Sequence, residues 1–107
     1  MKSREDLVSQ LRARGDLAID DGANRWLIAM EKGNLKCEVV VPKNCFEWFV
    51  SVKRVESEEE LWSDWDEYYG APKEQLEAQI AKSIADFLTR ARHADFNEPI
   101  CMHEDGA

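Results

Sequence analysis

The clearest hydrophobic pattern in the chain predicts an amphipathic helix over residues 73–92. Its apolar side chains recur every three to four positions, as Leu76, Ile80, Ile84, Phe87, Leu88 and Ala91. Arginines stand near its end, which the helix dipole favours. A shorter helix is predicted near the N-terminus, because Ser3 suits the N-cap position and Gly15 suits the end of a helix.

Between these helices the apolar residues follow the two-residue period of β-strands. An apolar run over residues 26–30 and an alternating run over residues 35–41 are separated by turn residues, which predicts a hairpin. Residues 46–52 alternate most cleanly, except that Phe49 falls on the polar phase. The short run 17–19 fits either a strand or a loop.

Residues 57–69 fit two different structures. Ser57 and Glu60 match a helix capping box, and a helix would place Leu61, Trp65 and Tyr68 on one face. Aromatic residues equally favour a strand. One face of that strand would carry Trp62, Asp64, Asp66 and Tyr68, and the other would carry Leu61, Ser63, Trp65, Glu67 and Tyr69. Both structures remain open at this point.

These elements predict the α+β class, because each helix needs a sheet face to cover its apolar stripe. We expect a single domain over residues 1–94, with an antiparallel sheet of three to four strands. An N-terminal helix and a long C-terminal helix flank that sheet. Residues 95–107 are mostly polar and contain Pro99, so we expect them to form a polar C-terminal tail.

The charge is concentrated in one part of the chain. The 107 residues carry a formal net charge of −8, and residues 56–70 hold seven acidic and no basic side chains. Such acidity disfavours nucleic-acid binding, which needs a basic surface, and suits a basic protein partner. No apolar stretch is long enough for a membrane span, so no membrane association is expected.

The sequence contains no motif for catalysis, phosphate binding or metal binding. Cys37 lies on the apolar phase of its strand and reads as a small buried hydrophobe. The spacing of Cys101-Met102-His103 is too tight for a standard zinc pair. We therefore expect a protein that is not an enzyme and has no cofactor or metal. Three cysteines and no secretion signal favour the reducing cytoplasm.

Residues 56–70, called the acidic aromatic segment, are the candidate partner-binding site, because tyrosine and tryptophan anchor interfaces and carboxylates attract basic partners. Either Trp62 and Tyr68 or Trp65 and Tyr69 would be the anchors, depending on the exposed face. The alternative, in which the tryptophans are core and the acids simply face water, stays open. The candidate residues are Glu58, Glu59, Glu60, Trp62, Asp64, Trp65, Asp66, Glu67, Tyr68 and Tyr69.

The succession of residues 46–52, an acidic gap, residues 61–70 and an amphipathic helix resembles small bacterial immunity proteins. These proteins belong to contact-dependent growth-inhibition and other polymorphic toxin systems, such as the TriTu group. The resemblance covers residues 25–92. It implies a protein that binds and neutralises a cognate toxin, often a nuclease with a basic active site. The alternative is a type III secretion chaperone, which residues 17–22 and the following strands also resemble.

Overall fold

Two helices and one antiparallel sheet make up the fold. The computed structural model describes residues 2–15, 18–20 and 22–102. The elements follow the order α1 (Arg4–Ala13), β1 (Ala18–Asp20), β2 (Arg25–Lys32), β3 (Leu35–Pro42), β4 (Glu47–Arg54), β5 (Glu60–Glu67) and α2 (Lys73–His93). The α+β class, the two flanking helices and the antiparallel sheet are as the sequence predicted.

The sheet is an antiparallel meander in the order β1-β2-β3-β4-β5. Its four long strands have eight residues each, and the three-residue β1 adds a fifth strand at one edge. The undecided run 17–19 therefore contributes residues to a strand, while Leu17 lies outside the described residues. The β2–β3 turn reverses at Gly33, where a positive φ of 60° suits a residue without a side chain.

Residues 60–67 of the acidic aromatic segment form strand β5 rather than a helix. Its residues pair with β4 over the register from Glu47 opposite Glu67 to Val52 opposite Trp62. An irregularity beside Val52 and Lys53 shifts the pairing at the start of β5. Leu61 consequently packs against the core, which corrects its predicted place on the face of Trp65. From Trp62 onward the predicted strand phases hold.

Both helices lie on one face of the sheet and enclose the core. Alternating strand residues point into it, including Val39, Val50 and Trp48, which are at most 1% exposed. The ring of Trp48 meets that of Phe87 from α2 edge to face, with centroids 5.4 Å apart. Leu11 of α1 joins the same cluster. The two helices therefore cover this face of the sheet, and no described residues cover the opposite face.

Arg4 links α1 to α2 and to the loop between β3 and β4. Its position in the first turn of a helix would predict an exposed side chain. It is only 4% exposed. Its guanidinium donates to the Glu77 carboxylate at 2.7 and 3.0 Å, and to the carbonyl oxygens of Pro42, Lys43 and Cys45. All five guanidinium N–H groups thereby have acceptors. These contacts fix α1 and α2 against the loop that leads into β4.

Lys32 caps the end of α2 from the end of β2. Its ammonium group donates to the carbonyl oxygens of Ala91, Arg92 and Ala94 at 2.6 to 2.8 Å. A positive charge at this position also complements the negative end of the helix dipole. This contact holds the C-terminal end of α2 against the sheet.

The predicted polar tail requires correction over residues 95–102. Phe96, Ile100 and Met102 are 1%, 9% and 4% exposed and belong to the core cluster. The Trp62 indole Nε1 also donates to the carbonyl oxygen of Phe96 at 3.0 Å. This segment is therefore part of the domain, because burying its three apolar side chains in the core holds it there although most of its residues are polar. Residues 103–107, including His103, lie outside the described residues.

Candidate protein-interaction surface

The face of the sheet away from the helices, called the open face, carries a line of apolar side chains. The strand register places Leu27 opposite Val40, Val40 opposite Phe49, and Phe49 opposite Trp65. These four residues, called the apolar row, form a line across strands β2 to β5, perpendicular to the strand direction. They belong to the opposite phase from the buried Val39 and Val50, so they face away from the core.

Exposure along the apolar row rises toward the edge of the sheet. Leu27 and Val40 are half-buried, Phe49 is 36% exposed and Trp65 is 54% exposed. The rings of Phe49 and Trp65 lie side by side with centroids 6.5 Å apart. A depression of about 520 Å³ adjoins them. Contiguous exposed apolar side chains of this kind mark interaction sites in soluble proteins.

Two basic side chains of the open face, Lys36 and Lys53, form ion pairs with acidic side chains of the protein. Lys53 Nζ lies 3.3 Å from Glu38, and Lys36 Nζ lies 3.4 Å from Glu58 and 3.9 Å from Glu38. Arg54 lies 3.6 Å from the Glu59 carboxylate. Two of the predicted partner-binding acids, Glu58 and Glu59, thus form ion pairs within the protein. Their charge is partly offset before any partner arrives.

Trp62 and Tyr68 lie on the helix side of β5, where both are half-buried and pack against the core. The Trp48 indole Nε1 donates to the Tyr68 hydroxyl at 3.3 Å. Burial raises the pKa of Tyr68 above its usual value of 10.0, and the neighbouring Asp66 carboxylate raises it further. Of the two anchor pairs that the sequence left open, this pair therefore contributes mainly to packing.

The remaining predicted residues lie along the free edge of the sheet and beyond it. Trp65 and Glu67 follow the open phase, and Glu60 lies opposite Lys53 on the same face. Asp64 is exposed, and Asp66 is half-buried beside Tyr68. Tyr69, after the strand, is 82% exposed. The structure thus brings an exposed tryptophan, an exposed tyrosine and several carboxylates together at one edge.

Sequence reasoning missed two members of the apolar row. Val40 occupies the polar phase of β3, as Phe49 does in β4, and that shared exception is the signal that could have revealed it. Leu27 sits inside a continuous apolar run, where no phase can be read. Only the strand register shows that these residues form a line, because pairing between strands does not follow from the alternation within each strand.

The three cysteines differ in how accessible their thiols are. Cys37 is fully buried, as predicted, and burial raises the pKa of its thiol to about 12. The Cys45 thiol donates to the Glu47 carboxylate at 3.2 Å, and Cys101 is exposed. Within the described ranges, no group of three or more histidine, cysteine or acidic side chains could hold a metal ion. The same residues include no helix long and apolar enough to cross a membrane.

Comparisons with models of known protein families, with curated proteins and with solved structures gave no match to this chain. The physical features of the open face and its edge therefore carry the functional argument.

Proposed function

We propose that this protein is a cytoplasmic immunity protein that binds a basic bacterial toxin domain and blocks its active site. The observation that carries the proposal is the apolar row, which ends at Trp65 within the most acidic segment of the chain. The sequence resemblance to immunity proteins of polymorphic toxin systems supports the same function. The toxin class that fits an acidic inhibitor best is a nuclease, because its active site must attract phosphates.

The apolar row and the acids would contribute to binding in different ways. Burial of Phe49 and Trp65 removes apolar surface from water and supplies affinity, since large aromatic side chains dominate interface energetics. Carboxylates at Asp64 and Glu67 would accelerate association with a basic surface and fix its orientation. Binding of this kind needs no catalytic group in the inhibitor, so the protein acts by occlusion.

The first experiment is co-expression with the toxin domain encoded beside the gene, with cell survival as the readout. The wild-type protein should protect the cells and co-purify with the toxin domain. Absence of both protection and a complex would overturn the proposal. Capture of an extended effector segment by a dimer would instead identify a secretion chaperone, the alternative that the sequence left open.

Two variant pairs separate apolar contact from charge. The double variant Phe49→Ser with Trp65→Ser should abolish protection. The control Val55→Ser should not, although Val55, in the β4–β5 turn, is as exposed as Phe49. Asp64→Asn with Asp66→Asn should slow association at least threefold at low salt and have a smaller effect at high salt. The matched charge control is a pair of exposed acids outside β5, Glu74→Gln with Glu98→Gln.

A further inference from the structure

Strand β5 presents a free hydrogen-bonding edge. It is the last strand of the sheet and pairs only with β4 among the described residues. The Tyr68 amide donates to the Phe46 carbonyl oxygen at 2.7 Å, which fixes Tyr68 and Phe46 as a hydrogen-bonded pair. Such pairs alternate along antiparallel strands, so Asp64 and Asp66 bond to β4 as well. The backbone groups of Ser63, Trp65 and Glu67 therefore point outward.

One of these outward amides is covered by a side chain of the same strand. The Asp64 carboxylate accepts a hydrogen bond from the Trp65 amide at 2.8 Å. Acidic side chains on an edge strand discourage pairing between copies of a protein, because like charges would meet across the new ladder. A second copy of β5 is therefore a poor occupant of this edge, and a cationic strand is a good one.

The two faces of β5 define the side chains that an added strand needs. Asp64 and Asp66 lie on the helix side, and Trp65 lies between them on the open side. Directly opposite residues in paired strands are about 4.5–5.5 Å apart, close enough for contact. A strand with lysine or arginine on one phase would face the two aspartates. An apolar residue on its other phase would extend the apolar row past Trp65.

We infer that the partner adds an extended segment of alternating basic and apolar residues to the outer edge of β5. The inference rests on the proposed function, because it specifies how the basic partner engages the acidic edge. Main-chain hydrogen bonds supply affinity in such strand addition, and the alternating side chains supply specificity. A lysine of the added strand would draw the Asp64 carboxylate away and release the Trp65 amide for pairing.

The test uses a capped seven-residue peptide of alternating lysine and valine with the ¹⁵N-labelled protein. At saturating peptide, amide hydrogen exchange should slow at least tenfold at Ser63, Trp65 and Glu67. Exchange at Asp64 and Asp66 should change little, because those amides already bond to β4. Slowing without this alternation, or no slowing at all, would overturn strand addition.

Two modified peptides provide the matched control. One carries backbone N-methyl groups on its valines and the other on its lysines, with identical side chains and charge. Only one set of amides can face β5, so one modified peptide should bind at least tenfold more weakly than the other. Equal affinity for both would mean that the peptide binds through charge alone.

A substitution in the protein tests the same edge. Ser63→Pro removes an outward amide without removing a bond to β4, so it should weaken peptide binding at least tenfold. Ser63→Thr keeps that amide and should bind normally. Toxin binding that survives Ser63→Pro unchanged would leave the proposed function intact and refute strand addition. If the peptide slows exchange in the expected alternating pattern but no toxin domain binds, strand addition stands and the proposed function is refuted.

Discussion

Replacement of Arg4 by methionine gives the most quantitative test of the fold. Arg4 is 4% exposed, and Arg4→Met removes a guanidinium with five hydrogen bonds, including the cation that pairs with the Glu77 carboxylate. Breaking a buried ion pair in this way costs about 3–5 kcal/mol. The Glu77 side chain is 20% exposed and can regain water, so the cost should lie at the lower end, about 3 kcal/mol.

Urea unfolding followed by fluorescence measures this loss directly. A loss of about 3 kcal/mol should also lower the Tm by about 12 °C or more for a domain of this size. Arg14→Met makes the same chemical change at an exposed position and should alter stability by less than about 0.5 kcal/mol. If Arg4→Met costs less than about 1 kcal/mol, the stabilising role assigned to this network is wrong.

The same ion pair predicts a dependence of stability on pH. Hydrogen bonds from Arg4 hold the pKa of Glu77 below its ordinary value of 4.5. A lowered pKa in the folded state stabilises the protein fully above the unfolded value, and that contribution disappears as the pH falls through the folded value. The stability difference between wild type and Glu77→Gln should therefore shrink as the pH falls below 4.5. A constant difference from pH 7 to pH 3 would contradict this linkage.

Three further predictions concern the cap, the thiols and the exposed tryptophan. Lys32→Met should lower the free energy of unfolding by about 2 kcal/mol, because three carbonyl groups at the end of α2 lose a charged donor. Lys82→Met, at an exposed position, should cost less than about 0.5 kcal/mol in the same urea titration. A thiol reagent should modify Cys101 in the native protein and reach Cys37 only on unfolding, so rapid native labelling of Cys37 would contradict its burial. Trp65→Ala should remove most of the acrylamide-quenchable fluorescence and leave the Tm within about 3 °C of wild type; a larger drop would show that Trp65 stabilises the fold.

The elements with a strong local period are the ones that the sequence determined. Helix α2 and strand β4 each carry a continuous pattern whose buried residues, such as Ile84 and Trp48, match the predicted phase. A helix or strand with such a pattern has only one face that it can bury, so the prediction needs no knowledge of the neighbouring elements. The α+β class follows, because those faces must meet.

Tertiary structure decided the features that depend on pairing across the chain. Residues 60–67 form a strand because β4 offers an edge whose register places Trp62 against the core. A local sequence pattern cannot show which strand will be the partner. The burial of Arg4 depends on carbonyl groups about forty residues away along the chain. Phe96 depends likewise on distant residues: Trp62 donates to its carbonyl oxygen, and the Lys32 ammonium group lies over its ring.

The candidate site divides in the same way. The sequence alone located the acidic aromatic segment, because charge and residue type are local properties. It could not choose between Trp62 and Trp65 as the exposed anchor, since that choice depends on which sheet face the helices cover. The helices cover one face of the sheet and leave the apolar row on the other face uncovered. The strand register aligns the four residues of that row, which lie far apart in the chain, and places Trp65 at the edge of the sheet.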